Sequence, residues 1–391
     1  MSVPHPPSLP PTRLLMGPGP SPVDPRVYQA LAQPVVGHLD PYLFEVFAEV
    51  QAALRRVFGT GNPCTLAVSG TGTSGMEAAV AALVEPGAKV AVFINGFFCE
   101  RIAEMAARQG AEVARLEKRW GEVFTGEESQ GFILRERPRV VAFVHGETST
   151  GVLQPGRAIC EAAHEVGALV IGDCVTTLGN LPVEVDQTGI DIAYSCSQKG
   201  LGCIPGLSPV TVSPRALDHL RARRTPGPSF YLDLALLYDY WNGHRYHHTA
   251  SSPLFYALRE ALAIIDEEGL ENRFRRVERN HRAFVAGVEA MGLQMHVAPE
   301  HRLPPLAAVR VPEGLSDAVV RAHLLEDDGI EILGGFGNLA GQVFRIGLMG
   351  AGSTRENVLR VLGGLQAALA REGYRSAGDG VAAAEACYSL P

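Results

Sequence analysis

Hydrophobic residues in the first two thirds of the chain form short apolar runs, which are separated by stretches with a helical pattern. The runs Cys64–Val68, Lys89–Ile94, Val140–His145 and Ala168–Gly172 have the length and composition of buried strands. The stretch Ser74–Val84 between the first two runs has the pattern of a helix. Further strands are predicted at Glu112–Leu116, Asp191–Ser195 and Val210–Ser213, and further helices at Asp40–Phe58, Phe98–Gln109 and Arg157–Val166. This alternation predicts an α/β/α domain with a large, mostly parallel sheet.

The order of elements changes in the last third of the chain, which predicts a smaller C-terminal α+β domain. Long helices are predicted at Leu254–Glu267 and Leu270–Met291, strands at Leu306–Val311, Ile330–Leu333 and Val343–Ile346, and shorter helices from Asp317 and from Ser353. The last of these opens with Ser353-x-x-Glu356, which matches a capping box. The boundary is expected near residues 270–285, along the second long helix.

The predicted organisation has four parts. Residues 1–21 form an extended arm, because nine prolines within the first 25 residues prevent a regular helix or central strand. The large domain covers residues 22–275 and the small domain covers residues 276–376. Residues 377–391 are expected to form a loose tail.

Composition narrows the class of protein. With 391 residues, 46% hydrophobic and 19% charged, the chain is typical of a soluble globular protein of two domains. A net charge of −8 argues against binding to nucleic acid or to an anionic membrane. The apolar run Ala78–Val84 is too short to cross a bilayer, and the proline-rich start does not resemble a signal peptide. Seven cysteines without a Cys-x-x-Cys pair favour reduced thiols and a cytoplasmic location.

Lys199 and Asp173 carry the most informative chemistry. Lys199 stands among small hydroxyl and glycine residues, where another molecule can approach its amine. Asp173 ends an apolar strand, and the carboxyl ends of such strands line the crevice in which α/β sheets bind ligands. An amine can form a Schiff base with an aldehyde, and a carboxylate can keep a pyridine nitrogen protonated. The pair therefore indicates a pyridoxal phosphate enzyme, although each residue alone is also typical of a surface charge or a helix cap.

The segment Ser69-Gly-Thr-Gly-Thr-Ser-Gly75 lies between a strand and a helix, where glycine-rich backbone can hold a phosphate. Its glycines also match the dinucleotide fingerprint of a Rossmann oxidoreductase. That alternative expects an acidic residue at the end of the next strand, which here ends in Asn95-Gly96. The oxidoreductase stays as an alternative from a different class of enzyme.

Three further features are candidates for a site. Phe98 follows a strand and could stack on a flat ring, although a phenylalanine in this position is more often part of the core. His145-Gly-Glu-Thr-Ser-Thr-Gly151 is a polar loop after an apolar strand and is either a ligand contact or a turn. Arg345 lies on a short strand, where a carboxylate ligand or a structural salt bridge would balance its charge.

Two other catalytic classes receive little support. The cluster of His244, Tyr246, His247 and His248 has no carboxylate or cysteine pair at ligand spacing, so no metal site is expected. A hydrolase with a serine nucleophile would need a Gly-x-Ser-x-Gly elbow, which is not found.

Taken together, these residues resemble the class V, fold-type I pyridoxal phosphate aminotransferases. Within that group the chain is similar to the alanine–glyoxylate and serine–glyoxylate (or serine–pyruvate) enzymes, from Gly17 to about residue 370. The motifs that carry the resemblance are Gly17-Pro-Gly-Pro20, Ser69-Gly-Thr-Gly72, His145-Gly-Glu-Thr-Ser-Thr-Gly-Val-Leu-Gln-Pro155, Asp173-x-Val175, Tyr194-Ser-x-Ser-Gln-Lys199, Tyr246-His-His-Thr249 and Arg345-Ile-Gly-Leu348.

The resemblance implies the cofactor pyridoxal 5'-phosphate and a role for each matched residue. Lys199 would bind the cofactor covalently and move a proton between it and the substrate, and Asp173 would pair with the pyridine nitrogen. The other implied cofactor contacts are Val175 and Phe98 on the ring faces, Thr148 at the phenolic oxygen, and Thr71, Gly72, Thr73 and Gln198 at the phosphate. The resemblance also implies a homodimer, in which Tyr246 and Thr249 come from the second subunit. Arg345 and the backbone near Gly19 would bind the substrate carboxylate.

Two positions depart from the family pattern, and other family members remain alternatives. Relatives often carry tryptophan in place of Phe98 and histidine in place of Thr73. Ureidoglycine–glyoxylate aminotransferases typically carry asparagine in the position of His247, so this residue favours alanine or serine as the amino donor. A cysteine desulfurase would need a cysteine in a mobile loop, and none occurs between Cys203 and Cys387. The expected reaction transfers an amino group from alanine or serine to glyoxylate, because no motif supplies a second arginine for a dicarboxylic donor. Arg245 and the run Arg221-Ala-Arg-Arg224 are expected to be surface charges.

Overall fold

The computed structural model of the protein describes residues 10–223 and 225–390. Residues 1–9 of the predicted arm and Pro391 of the predicted tail lie outside the described residues. The strands are β1 (Leu14–Leu15), β2 (Cys64–Ser69), β3 (Lys89–Ile94), β4 (Glu112–Glu117), β5 (Val140–Val144), β6 (Gly146–Glu147), β7 (Val152–Leu153), β8 (Leu169–Asp173), β9 (Ile192–Tyr194), β10 (Leu207–Val212), β11 (Leu306–Arg310), β12 (Ile330–Glu331), β13 (Leu333–Gly334) and β14 (Val343–Gly347). The helices are α1 (Pro25–Leu31), α2 (Pro41–Phe58), α3 (Gly72–Leu83), α4 (Phe97–Arg108), α5 (Gly126–Glu136), α6 (Arg157–Glu165), α7 (Val185–Thr188), α8 (Pro214–Ala222), α9 (Leu234–Gly243), α10 (Ser252–Glu268), α11 (Leu270–Ala290), α12 (Asp317–Asp327), α13 (Arg355–Arg371) and α14 (Gly380–Ser389).

A seven-stranded sheet with the order β2-β10-β9-β8-β5-β3-β4 positions the site. Strands β4, β3, β5, β8 and β9 run parallel to one another, so the predicted α/β fold with a mostly parallel sheet is confirmed. Strand β10 is the exception, because it pairs antiparallel with both β2 and β9. Strands β5 and β8 are buried along their whole length, as expected when helices cover both faces of a sheet.

Buried apolar side chains form two main clusters. The larger cluster runs from Val27 to Ile265, and the second contains Met16 together with residues from Ala283 to Tyr388. A three-stranded antiparallel sheet with the order β11-β14-β13 belongs to the second part. The clusters separate along α11, in the stretch where the sequence places the domain boundary; the domain limits themselves stay a prediction.

The N-terminal arm is extended, and it enters the molecule instead of lying only on its surface. Strand β1 pairs parallel with β12, and the side chain of Met16 is fully buried in the second cluster. The arm therefore connects the small C-terminal part to the pocket described below.

Three local predictions in the C-terminal third are wrong. The segment expected to be a loose tail contains α14, which packs on α11 and donates a hydrogen bond of 2.6 Å from Tyr388 Oη to Asn280 Oδ1. The last long helix, α13, is capped by Thr354, whose Oγ1 accepts from Asn357 N, so Ser353-x-x-Glu356 is not a capping box. The predicted strand Ile330–Leu333 is divided into β12 and β13, which pair with β1 and β14 respectively.

Across residues 10–223 and 225–390, none of the helices combines the length and the apolar character that crossing a membrane requires.

Candidate active site

Lys199 lies in the turn that follows β9, and its side chain is 8% exposed. The amine Nζ donates to Thr148 Oγ1 and Thr176 Oγ1, at 3.3 Å each. Burial lowers the pKa of this amine from its ordinary value, because the charged form loses its hydration. A lowered pKa increases the fraction of neutral amine, which is the form that acts as a nucleophile and as a base.

The turn around Lys199 is fixed by a buried arginine on α11. Arg273 on α11 donates from Nη2 to the Gly200 carbonyl at 2.6 Å and from Nε to the Gly179 carbonyl at 2.8 Å. Its charge is balanced by Glu268, whose Oε2 lies 2.8 Å from Nη1. This cluster holds the backbone beside Lys199 in place.

Asp173 is the last residue of β8 and is almost completely buried. Its Oδ2 accepts from Tyr194 Oη and its Oδ1 from Val175 N, both at 2.8 Å. Burial raises the pKa of this carboxyl group to about 6, whereas the two hydrogen bonds and Lys199 oppose the increase. A cation that contacts Asp173 would restore full ionisation near neutral pH.

The glycine-rich segment after β2 leads directly into α3, which begins at Gly72 after the N-cap residue Thr71. The side chain of Thr71 makes no capping hydrogen bond, so it leaves N–H groups of the first turn free to bind an anion. The backbone passes close to the rest of the pocket, because a Cβ at Gly72 would lie 3.1 Å from Cys196 and 3.4 Å from Val175.

Phe98 lies in the first turn of α4, which follows β3. A fully buried carboxylate caps this helix from another loop, because Glu147 Oε2 accepts from Phe98 N at 3.0 Å and from Cys99 N at 3.3 Å. The other carboxylate oxygen, Glu147 Oε1, accepts a hydrogen bond of 2.7 Å from Ser149 Oγ. Glu147 therefore fixes the position of Phe98, whose ring centroid lies 5.7 Å from Lys199 Nζ.

Arg345 is the central residue of β14 and is 1% exposed. Its Nε donates to the Gly334 carbonyl at 2.7 Å and its Nη1 to the Thr148 carbonyl at 3.3 Å, but Nη2 is buried without a partner. The ring of Phe336 covers the guanidinium at 4.0 Å. Burial lowers the pKa of Arg345 to about 10, against the attraction of Glu147. A buried cation with an unused donor is a site for an anion.

Nine of the predicted cofactor contacts line one pocket in this structure. The pocket lies at the edge of the sheet where the parallel strands end. Its lining residues are Thr71, Gly72, Thr73, Met76, Phe98, Arg101, Val144, Gly146, Thr148, Asp173, Val175, Thr176, Gln198 and Lys199. Gly19 also reaches this pocket, because a Cβ there would lie 3.1 Å from Cγ of Lys199. The individual roles of these residues stay predictions.

Tyr246 and Thr249 are the predicted cofactor contacts that do not line this pocket, and the predicted substrate contact Arg345 is not among the lining residues either. Tyr246 and Thr249 are both exposed, and Tyr246 retains 59% of its accessible surface. The neighbouring His247 and His248 bond to each other through their Nδ1 atoms at 2.9 Å. Within the described part of the chain, no group of three or more histidine, cysteine or acidic side chains could hold a metal ion.

Sequence reasoning missed four polar residues of the site: Arg101, Glu147, Thr176 and Tyr194. Glu147 and Tyr194 lie inside the motifs His145–Pro155 and Tyr194–Lys199, but their contacts join segments that are distant in the sequence. Arg101 could have been found, because it lies three residues after Phe98 and therefore on the same face of α4. Thr176 gave no sequence signal.

Comparison with known proteins agrees with this geometry. Residues 24–361 match the family model described as aminotransferase class-V. The chain is 40% identical over 380 residues to the (S)-ureidoglycine–glyoxylate transaminase of Bacillus subtilis, with 92% of this chain and 91% of that protein covered. It is also 40% identical over 365 residues to the alanine–glyoxylate aminotransferase of Callithrix jacchus, covering 92% and 88% of the two chains.

The fold is shared with a solved relative. The crystal structure of an alanine–glyoxylate aminotransferase from Nostoc sp. superposes with a TM-score of 0.92 at 47% identity, covering 94% of this chain and 98% of that chain. This similarity confirms the predicted fold-type I architecture and the pyridoxal phosphate cofactor. The alternative of a Rossmann oxidoreductase is wrong, because the match to an aminotransferase family spans most of the chain. The chain belongs to the class V aminotransferase family of pyridoxal phosphate enzymes.

Proposed function

We propose that this protein moves the amino group of alanine or serine to glyoxylate, with glycine and either pyruvate or hydroxypyruvate as products. The observation that carries the proposal is the buried guanidinium of Arg345, whose Nη2 has no partner. Each of these substrates presents one carboxylate, which is the partner that a buried guanidinium needs. The names of the Bacillus subtilis and Callithrix jacchus relatives both include glyoxylate, which supports this acceptor.

The pocket residues fit pyridoxal phosphate on two observations. The first turn of α3 has no side-chain cap and can therefore receive the phosphate through its backbone N–H groups. Asp173 is a buried carboxylate whose pKa of about 6 makes a cationic partner favourable. When bound, the cofactor supplies an electron-withdrawing ring that stabilises negative charge at the substrate Cα.

The protein's own residues hold and move the protons of the reaction. The negative charge of Asp173 would keep the cofactor ring nitrogen protonated, and Tyr194 and Val175 orient this carboxylate. Lys199 Nζ would hold the cofactor and carry the proton of the substrate Cα, with Thr148 and Thr176 positioning the amine.

The proposed donors carry a single carboxylate. Within the described residues, the arginines that were candidates for binding a second carboxylate are engaged elsewhere, which supports this choice. Arg245 is exposed and pairs with Asp239, and Arg221 is exposed and lies 3.6 Å from the same aspartate. Arg223 is buried and donates to the Ala81 carbonyl at 2.9 Å, so its prediction as a surface charge is wrong. Arg224 lies outside the described residues. A distal carboxylate that is buried without a partner costs several kcal/mol, so glutamate should be a poor donor.

Transfer from ureidoglycine is the second candidate, favoured by the name of the Bacillus subtilis relative. His247 argues against ureidoglycine as the donor. Ureidoglycine–glyoxylate aminotransferases typically carry asparagine at the position of His247. In this protein the His247 ring stacks on Phe230 at 4.9 Å and its Nε2 bonds to the Phe230 carbonyl at 2.9 Å. An asparagine could not make the stacking contact.

A homodimer with shared sites is supported by a surface rich in exposed apolar side chains. This surface contains Tyr246 and Phe230, which are 59% and 69% exposed, and the neighbouring His38 ring contacts Tyr246 at 4.8 Å. Other large apolar side chains are exposed as well: Tyr28, Val35, Leu39, Tyr42, Tyr231 and Leu236. Exposed apolar patches of this kind mark interaction surfaces. A second subunit on this surface would bring Tyr246 and Thr249 to the phosphate end of its partner's pocket.

We also infer a cytoplasmic location, which the cysteines support. All seven thiols are free, and six of them are buried. Unpaired cysteines are typical of a reducing compartment.

Lys199→Ala should abolish the covalent attachment of the cofactor and reduce kcat by more than about 100-fold, because the lysine is both anchor and proton carrier. The measurement combines turnover with alanine and glyoxylate with mass spectrometry after borohydride reduction. Turnover near the wild-type value would contradict the assignment of Lys199.

Asp173→Asn should bind the cofactor but slow the half-reaction with the amino donor by roughly 100-fold. The loss corresponds to about 3 kcal/mol, the cost of removing one partner from a buried ion pair. Rapid-mixing absorbance with excess cofactor measures this rate. If the rate is unchanged, Asp173 has only a structural role.

Mixed dimers should test the shared sites. Lys199→Ala subunits exchanged with subunits carrying Tyr246→Phe and Thr249→Ala should regain at most about a quarter of wild-type activity, because each mixed dimer has one intact site. Lys199→Ala mixed with Asp173→Asn is the control, since both residues belong to the same pocket and no gain is expected. A fully active monomer in sedimentation experiments would rule out the dimer.

Donor specificity should show the role of Arg345. With glyoxylate as acceptor, kcat/KM should be much higher for alanine or serine than for glutamate or ureidoglycine. Arg345→Ala should raise the KM for donor and acceptor together by about 10- to 100-fold, because both place a carboxylate on the same guanidinium. Arg310→Ala, an exposed arginine on the adjacent strand β11, is the matched control. A preference for glutamate or ureidoglycine would refute the proposed donors but not the cofactor chemistry.

A further inference from the structure

Arg101 is a cation of the pocket that neither the sequence motifs nor the proposed reaction uses. It lies on α4, is partly buried and lines the pocket together with Thr73 and Phe98. Its Nη1 donates to Thr73 Oγ1 at 3.4 Å, and its guanidinium carbon lies 4.9 Å from the centroid of the Phe98 ring. The guanidinium is therefore located between the first turn of α3 and the ring-stacking side chain.

The acidic side chains nearest to Arg101 on its own helix are already engaged. Glu100 pairs with Arg115 at 2.7 Å, and Glu104 Oε1 accepts a hydrogen bond of 3.0 Å from Arg108 Nε. Within residues 10–223 and 225–390, no carboxylate forms a salt bridge with Arg101. A partly buried guanidinium without an acidic partner has unused donors for an anion.

The first turn of α3 needs additional positive charge if it binds a phosphate. A phosphate monoester carries between one and two negative charges near neutral pH, whereas a helix N-terminus contributes only about half a positive charge. The lining residues include two cations, Lys199 and Arg101. Lys199 points its amine toward Thr148 and Thr176, so Arg101 is the cation next to Thr73.

We propose that Arg101 is a further cofactor-binding residue, whose guanidinium neutralises the phosphate group of pyridoxal phosphate at the start of α3. The proposal rests on the placement of the phosphate at Thr71, Gly72 and Thr73 in the proposed function. The contact with the Phe98 ring restricts the movement of the Arg101 guanidinium and keeps it beside Thr73. Two other roles would give different results in experiment: support of the Phe98 ring alone, or binding of a distal substrate carboxylate.

The test compares pyridoxal phosphate with pyridoxal, which lacks the phosphate. The full-length protein is freed of cofactor, and the dissociation constants of both compounds are measured by quenching of intrinsic fluorescence for wild type, Arg101→Gln and Arg101→Lys. Arg101→Gln should raise the dissociation constant of pyridoxal phosphate by at least about 10-fold and change that of pyridoxal by no more than about twofold. Arg101→Lys should recover part of the affinity, because it retains the charge but not the planar donor geometry. Arg108→Gln, on the exposed face of the same helix, is the matched control and should change neither constant.

Each outcome decides between the roles. An equal loss for both compounds would overturn the proposal and leave Arg101 as a support for Phe98. Unchanged dissociation constants in Arg101→Gln would also overturn the proposal. If Arg101→Gln then also loses the residual activity with glutamate, Arg101 is assigned to binding a distal substrate carboxylate. Competition by inorganic phosphate provides a second readout, since phosphate should compete less well in Arg101→Gln than in Arg101→Lys. If wild type does not bind pyridoxal phosphate, the proposed function itself fails, and the failure is then independent of Arg101.

Discussion

The burial of charge at the carboxyl edge of the parallel sheet is the constraint on which the site depends. Asp173, Lys199, Glu147 and Arg345 are all at most 8% exposed, and an unpaired buried charge is costly. The fold meets this cost with hydrogen bonds to neutral groups: Asp173 accepts from Tyr194 Oη and Val175 N, Lys199 donates to threonine hydroxyls, and Glu147 accepts from backbone N–H groups. Neutral partners balance a charge only in part, so the pKa of Asp173 is raised and the pKa of Lys199 is lowered. Both residues therefore favour a ligand that carries the opposite charge.

The same constraint connects the two parts of the molecule. Arg345 belongs to the small antiparallel sheet, yet its guanidinium contacts the Thr148 carbonyl of the loop after β5. Arg273, on the helix that separates the two apolar clusters, holds the turn beside Lys199. The N-terminal arm passes from β12 to Gly19, which packs against Lys199. Arg345 and Lys199 are therefore held by different parts of the chain, and a shift of one part against the other changes the distance between them.

The sequence alone determined the large domain and the chemical centre of the site. Strand Lys89–Ile94 was predicted with its exact bounds, and the other strands of the large sheet were predicted to within one to three residues at each end, because they are short apolar runs between polar residues. Asp173 and Lys199 could be singled out because side chains at strand ends line the ligand crevice of α/β sheets, and because a carboxylate and an isolated lysine together indicate one type of cofactor. The nine pocket residues that resemblance implied are brought together by the sheet, since the carboxyl ends of parallel strands meet at one edge.

Only the tertiary structure decided the features that depend on contacts between distant segments. The alanine-rich end of the chain carries a weak apolar pattern, and it forms α14 because α11 offers a surface for Ala384 and Tyr388. Strand β10 reverses direction and the run Ile330–Leu333 divides between two partners, because strand pairing is a property of neighbours and not of one segment. Glu147 caps a helix from which it is separated by 49 positions, and Arg101 reaches Thr73 from another helix. Local sequence encodes which residues favour a helix, a strand or a turn, whereas the partner of each buried polar group is set only when the chain is packed.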